Sequence, residues 1–150
     1  MSKSRFRSRS LTGLMAVAAA ICTPASAQPA PTAPPPAYAD IADLADAADL
    51  VVHARIKEAI TVPPERATSV SAGHARVYVE AETVALLSGS SPVGQSLKYL
   101  VDVPLDARGK APKLKKTEVL LFARAVPGRS DELQLVGPRA QLAWSPAVDG

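Results

Sequence analysis

The chain has 150 residues, of which 47% are apolar and only 4% aromatic, and its 17 basic and 14 acidic side chains give a formal net charge of +3. That length suffices for one hydrophobic core. A single cysteine excludes an internal disulfide and any zinc site built on several thiolates.

The first segment, "MSKSRFRSRS", carries Lys3, Arg5, Arg7 and Arg9 and no acid. The apolar run "LTGLMAVAAAI" follows, and Ala25, Ser26 and Ala27 supply a small-residue cleavage site. This is the pattern of an export signal over residues 1–27, and it predicts a periplasmic or extracellular product. The apolar run falls short of the ~20 residues that a membrane-spanning helix needs. Ile21, bulky and next to Cys22, argues against lipid attachment there. Without the signal the cysteine is lost, and 13 basic residues face 14 acidic ones, a balance of −1. The basic character of the whole chain therefore gives no reason to expect nucleic-acid binding. Gln28 to Ala37, "QPAPTAPPPA", reads as a Pro-rich tether. Residues 38–150 are then expected to form one domain. The chain stops at "AVDG" with no capping element, which predicts a natural product longer than Gly150.

From Tyr38, apolar residues recur at helical spacing through Ile41, Leu44, Ala45 and Ala48. A short helix is expected there, with Asp40 near its start, where acids suit the dipole. At Leu50 the period becomes two. Val52, Ala54 and Ile56 alternate with His53, Arg55 and Lys57, so a half-buried strand with an outer polar face is expected. Pro63 and Pro64 end it. The next strand runs from His74 to Gly89, with Val77, Val79 and Ala81 inward. Its apolar phase slips near Thr83, the mark of a bulge or bend. "SGSSPVG" is a turn. Leu97, Tyr99, Val101 and Val103 form the inner face of a third strand, ended by Pro104. "TEVLLFARAV", Thr117 to Val126, is almost continuously apolar and is expected to be the most buried strand. "LQLVG" and "AQLAW" supply two short strands or one broken one. The predicted fold is mainly β: a five- to six-stranded OB-like barrel with one short N-terminal helix. A lipocalin would need eight strands.

The order of "ADLVVHARIKEAI", a long strand ending "LLSG", "SLKYLVDVP" and "TEVLLFARAV" resembles secreted OB-fold modules of the netrin and metalloproteinase-inhibitor type, and exported bacterial proteins with similar strands, over roughly Ala48 to Val136. The resemblance implies fold and secretion. Inhibitors of that type chelate zinc through an N-terminal cysteine; here the expected mature chain has none, so no inhibitory residue carries over.

Candidate chemistry is sparse. His53 and His74, with Glu58 or Glu80, suggest a metal site or a small hydrolase, and no HExxH accompanies them. Ser88, Ser90 and Ser91 lack a nucleophile elbow, although a triad with His74 and Asp102 can be drawn. Asp40, Asp43, Asp46 and Asp49 lack calcium-loop spacing. Glu80 and Glu82 share a strand face, as a glycosidase pair would. The most distinctive segment is Asp106 to Lys116, in which Arg108, Lys110, Lys113, Lys115 and Lys116 face one acid. These five are the expected binding residues, for an envelope protein or an anionic polymer. The expectation is an exported, non-catalytic binding module without a cofactor, a nucleic-acid partner or a membrane span. The alternative is a small envelope hydrolase or metal-binding protein built on the His53/His74 region.

Overall fold

A computed structural model describes residues 36–145; the expected signal, most of the tether and the last five residues lie outside this range. The elements are α1 (Tyr38–Ala47), β1 (Leu50–Thr61), β2 (His74–Ser88), β3 (Ser96–Pro104), β4 (Glu118–Val126), β5 (Arg129–Leu135) and β6 (Gln141–Ala143). The strands run in the order β1-β2-β3-β5-β4, and β4 pairs again with β1, which closes a five-stranded ring. β6 lies outside that ring on the edge of β4. All pairings are antiparallel except β3 with β5, which share only the bridge Lys98↔Glu132. This is the OB-like barrel that the alternating pattern predicts, with a sixth strand added.

The barrel interior holds the residues that alternate inward. Val52, Ala54 and Ile56 of β1 meet Val77, Val79 and Ala81 of β2, Leu97, Tyr99, Val101 and Val103 of β3, and Val119, Leu121 and Ala123 of β4. Each large aliphatic side chain so buried contributes about 1.5–3 kcal/mol. The Tyr99 hydroxyl donates to Gln141 Oε1 at 2.7 Å, and burial raises its pKa, so the phenol stays protonated.

β4 is apolar on both faces because both are covered. Its outward Leu120 and Phe122 form a second cluster with Ala140, packed by Ile41 and Leu44 of α1 and by Leu142 and Trp144. The helix begins and docks largely as expected. Asp40 Oδ2 accepts the Ala37 backbone N–H at 3.0 Å, and Ile41, Leu44 and Ala48 face the barrel. Tyr38, expected on that face, is 87% exposed, because it starts the helix ahead of the stretch that meets β4.

The slip near Thr83 is a real irregularity. The β1–β2 register shifts between His53 and Ala54 and again between Val51 and Val52, which leaves Val84 and Leu87 as extra residues on β2. A third shift leaves Lys57 extra on β1. The β2–β3 ladder ends at Glu82↔Ser96, with one further bond from the Thr83 N–H to the Gln95 carbonyl, and beyond it β2 pairs with β1 alone. The turn that follows folds tightly onto the start of β1. Gly89 has φ +110°, and a Cβ there would lie 2.6 Å from the Asp49 carbonyl oxygen. Gly89→Ala is expected to lower the unfolding free energy by about 2 kcal/mol, from backbone strain and the clash together. Urea denaturation followed by circular dichroism checks this.

Candidate functional site

The five cations picked out in the sequence sit on the connection between β3 and β4, and local hydrogen bonds shape it. Asp106 Oδ1 accepts the backbone N–H groups of Arg108 at 2.8 Å and Lys110 at 2.9 Å. The Asp106 N–H donates to the Lys110 carbonyl, and the Gly109 N–H to the Asp106 carbonyl. Gly109, at φ +72°, makes this tight turn possible. The second half of the loop is anchored from below. Ala111 and Leu114 pack on the barrel core, and Thr117 Oγ1 donates to the Leu114 carbonyl at 2.6 Å. The Lys116 N–H donates to the Ile56 carbonyl at 2.8 Å.

Arg108, Lys110, Lys113, Lys115 and Lys116 are all exposed, held out from a loop whose backbone is tied to the barrel. None forms an ion pair with any described residue. Most cations of the barrel wall differ, although Arg124 of β4 has no acidic partner and donates from Nε to the Ala47 carbonyl at 3.2 Å. Arg55 pairs with Glu118, Lys57 with Glu82, Arg76 with Asp102, Lys98 with Asp131 and Arg129 with Glu132. Lys110 also lines a groove of about 560 Å³ between this loop and the β1–β2 connection, together with Val62, Val70, His74 and Leu105. Leu105 is fixed there by its N–H, which donates to the Gly73 carbonyl at 2.8 Å.

The histidines do not come together. His53, expected on an outer polar face, is buried at 7% exposure. Its ring stacks on Trp144 with centroids 3.8 Å apart and 12° between planes. Its Nε2 lies 3.0 Å from Glu118 Oε2, while Glu118 Oε1 accepts from Arg55. The cause is the outer cover on β4: His53 stands opposite Leu120 in the β1–β4 ladder, under the segment that carries Trp144. His74 is exposed at the other end of the β1–β2 ladder, opposite Pro104, with Nδ1 beside the Ala72 carbonyl. Among the described residues, no group of three or more His, Cys, Asp or Glu side chains gathers to hold a metal.

The other constellations are likewise dispersed. Ser88 ends β2, whereas His74 begins it, and Asp102 is taken by Arg76. Glu80 accepts the Tyr78 hydroxyl, and Glu82 pairs with Lys57. The alternation of β1 gave no sign of the His53–Trp144 stack. The only clue was the unbroken apolar run of β4, which requires a cover over its outer face. The sequence, compared with protein-family models and with curated proteins, matches none of them.

Hydrogen bonding from Arg55, with that of His53, lowers the Glu118 pKa, and Lys57 lowers that of Glu82. Carboxylates whose pKa falls on folding bind fewer protons in the folded state than in the unfolded one. Their contribution to stability is complete above the ordinary carboxylate value of ~4.3 and is lost as pH falls through the lowered folded values. Glu118→Gln is therefore expected to flatten the acid side of a plot of Tm against pH below about pH 5 while leaving the neutral side level. Differential scanning calorimetry across that range checks it.

Proposed function

We propose that the chain is an exported, non-catalytic binding module that attaches to an anionic polymer of the cell envelope through the β3–β4 loop. The observation that carries this reading is the contrast in pairing. Five of the six cations on the strands have acidic partners, and the sixth, Arg124, donates to the Ala47 carbonyl, whereas the five gathered on the loop are exposed and unmatched by any described residue. Clustered like charges repel one another, and a polyanion relieves that repulsion while displacing the counterions they hold. The Asp106 turn and the Leu114 anchor fix the loop in advance, so little ordering remains to be done on binding. The acids Asp40, Asp43 and Asp46 lie on α1, which leads into the start of β1; the loop closes the barrel end at which β1 finishes. An anionic partner at the loop thus avoids the helix. The export-signal pattern and Pro-rich tether expected from the sequence support a location in the envelope, where anionic polysaccharides are available.

Binding to alginate, an anionic polysaccharide, tests the reading. The full chain is expected to bind it at low ionic strength and to weaken steeply as salt rises. Replacing Arg108, Lys110, Lys113, Lys115 and Lys116 together by Glu is expected to reduce affinity by about tenfold or more. Because all five side chains are exposed, Tm should change little. Binding by the variant equal to that of the unmodified protein, or binding indifferent to salt, overturns the proposal.

A further inference from the structure

A second concavity, of about 690 Å³, lies outside the barrel over β2, β3 and β5, with Ser69 and Ser71 of the β1–β2 connection on its rim. Its floor is set by ladder register. Three outward pairs cross from β2 to β3 in succession: Arg76↔Asp102, Tyr78↔Leu100 and Glu80↔Lys98. An apolar pair thus sits between two oppositely charged ones. Leu100 is 49% exposed, and the Tyr78 hydroxyl is held by Glu80 Oε1 at 3.1 Å. The far wall is β5, from Glu132 to Leu135. β3 and β5 share a single ladder bridge, so consecutive residues of both strands are open to the groove.

The charge of this groove differs from that of the basic loop. Arg76 Nε and Nη2 donate to both Asp102 oxygens, at 2.8 and 3.0 Å. Glu132 is matched by Arg129, and Lys98 by Asp131. A polyanion would gain nothing from a surface already neutralised and would meet Glu80, Asp102 and Glu132. An added peptide strand could pair only along the edge of β3 that faces β5, since the other edge is laddered to β2 throughout. What the surface offers is a small apolar platform ringed by donors and acceptors, the Gln134 amide and two serine hydroxyls among them. A sugar ring has the complementary form, with an apolar C–H face and equatorial hydroxyls around it.

We propose that this groove binds a neutral oligosaccharide, with Tyr78 and Leu100 beneath the sugar rings and Arg76, Asp102 and Gln134 bonding their hydroxyls. None of the five loop cations lines it, although Arg76 also borders the groove beneath the loop, so the two surfaces hold two different ligands.

The test is titration of the isotopically labelled full chain with cellohexaose, maltohexaose and chitohexaose, followed by amide NMR shifts. At least one sugar is expected to give saturable shifts at Tyr78, Leu100 and Gln134. Tyr78→Ala should weaken that binding about tenfold or more. Leu100→Arg fills the groove from a half-exposed position and should have the same effect should the tyrosine variant fail to fold. Charge reversal of the β3–β4 loop should leave sugar binding unchanged. Absence of shifts with all three sugars overturns the proposal. So does binding that survives both substitutions, or shifts of these amides produced only by alginate or by an unstructured peptide. Sugar binding that persists when alginate binding has been abolished separates this site from the loop.

Discussion

The structure depends on one strand being paired along both edges. β1 lies against β2 over its length and against β4 from Leu50 to Arg55, and only this second ladder turns an open sheet into a ring. Closure covers the edges of β1 and β4 that an open sheet would expose. It also dictates where side chains go: Val52, Ala54 and Ile56 enter a closed interior and are fully buried there. The outward residues of β1 stand beside two neighbours instead of one. That is how Arg55 and His53 both reach Glu118 on β4, 63 and 65 residues away in sequence.

Closure also explains which parts of the fold were legible in the sequence. Alternation reports a strand with one wet face, and it assigned the inner residues of β1, β2 and β3 correctly. The uninterrupted run of β4 reports two dry faces, and those are the barrel core and the cluster under α1 and Trp144. His53 was assigned to the outer polar face because alternation describes one strand at a time. The cover on β4 extends over its ladder neighbour, a fact carried by residues 91 positions further on, at Trp144. The loop cations were visible as a local excess of charge, but their freedom from partners was not, since pairing depends on which acids the barrel brings near. The groove was hidden for the same reason. Tyr78 could be read as outward, whereas its register opposite Leu100 could not.

The surfaces of the barrel divide by how much their charge is bound up. Along the wall, strand pairing sets acids opposite bases at fixed spacing, and such exposed pairs stabilise the fold little. Their larger effect is to cancel the local field. The β3–β4 loop has no ladder to impose such matching, and its positive field persists. One small barrel thereby carries a neutral concave flank and a charged end, which differ in chemistry although they share β3.

The order in which the ring is assembled follows from the same geometry. A chain growing from its N-terminus has β1 and β2 long before it has β4. Until residues 118–123 arrive, the second edge of β1 stands bare, with Leu50 and Val52 beside it. Pairings this distant in sequence form slowly, on timescales of about milliseconds to seconds. In that interval the half-built sheet is a sticky template for other chains. Translation or translocation that pauses before β4 would prolong that hazard, and a holding chaperone would have its natural target in that uncovered edge.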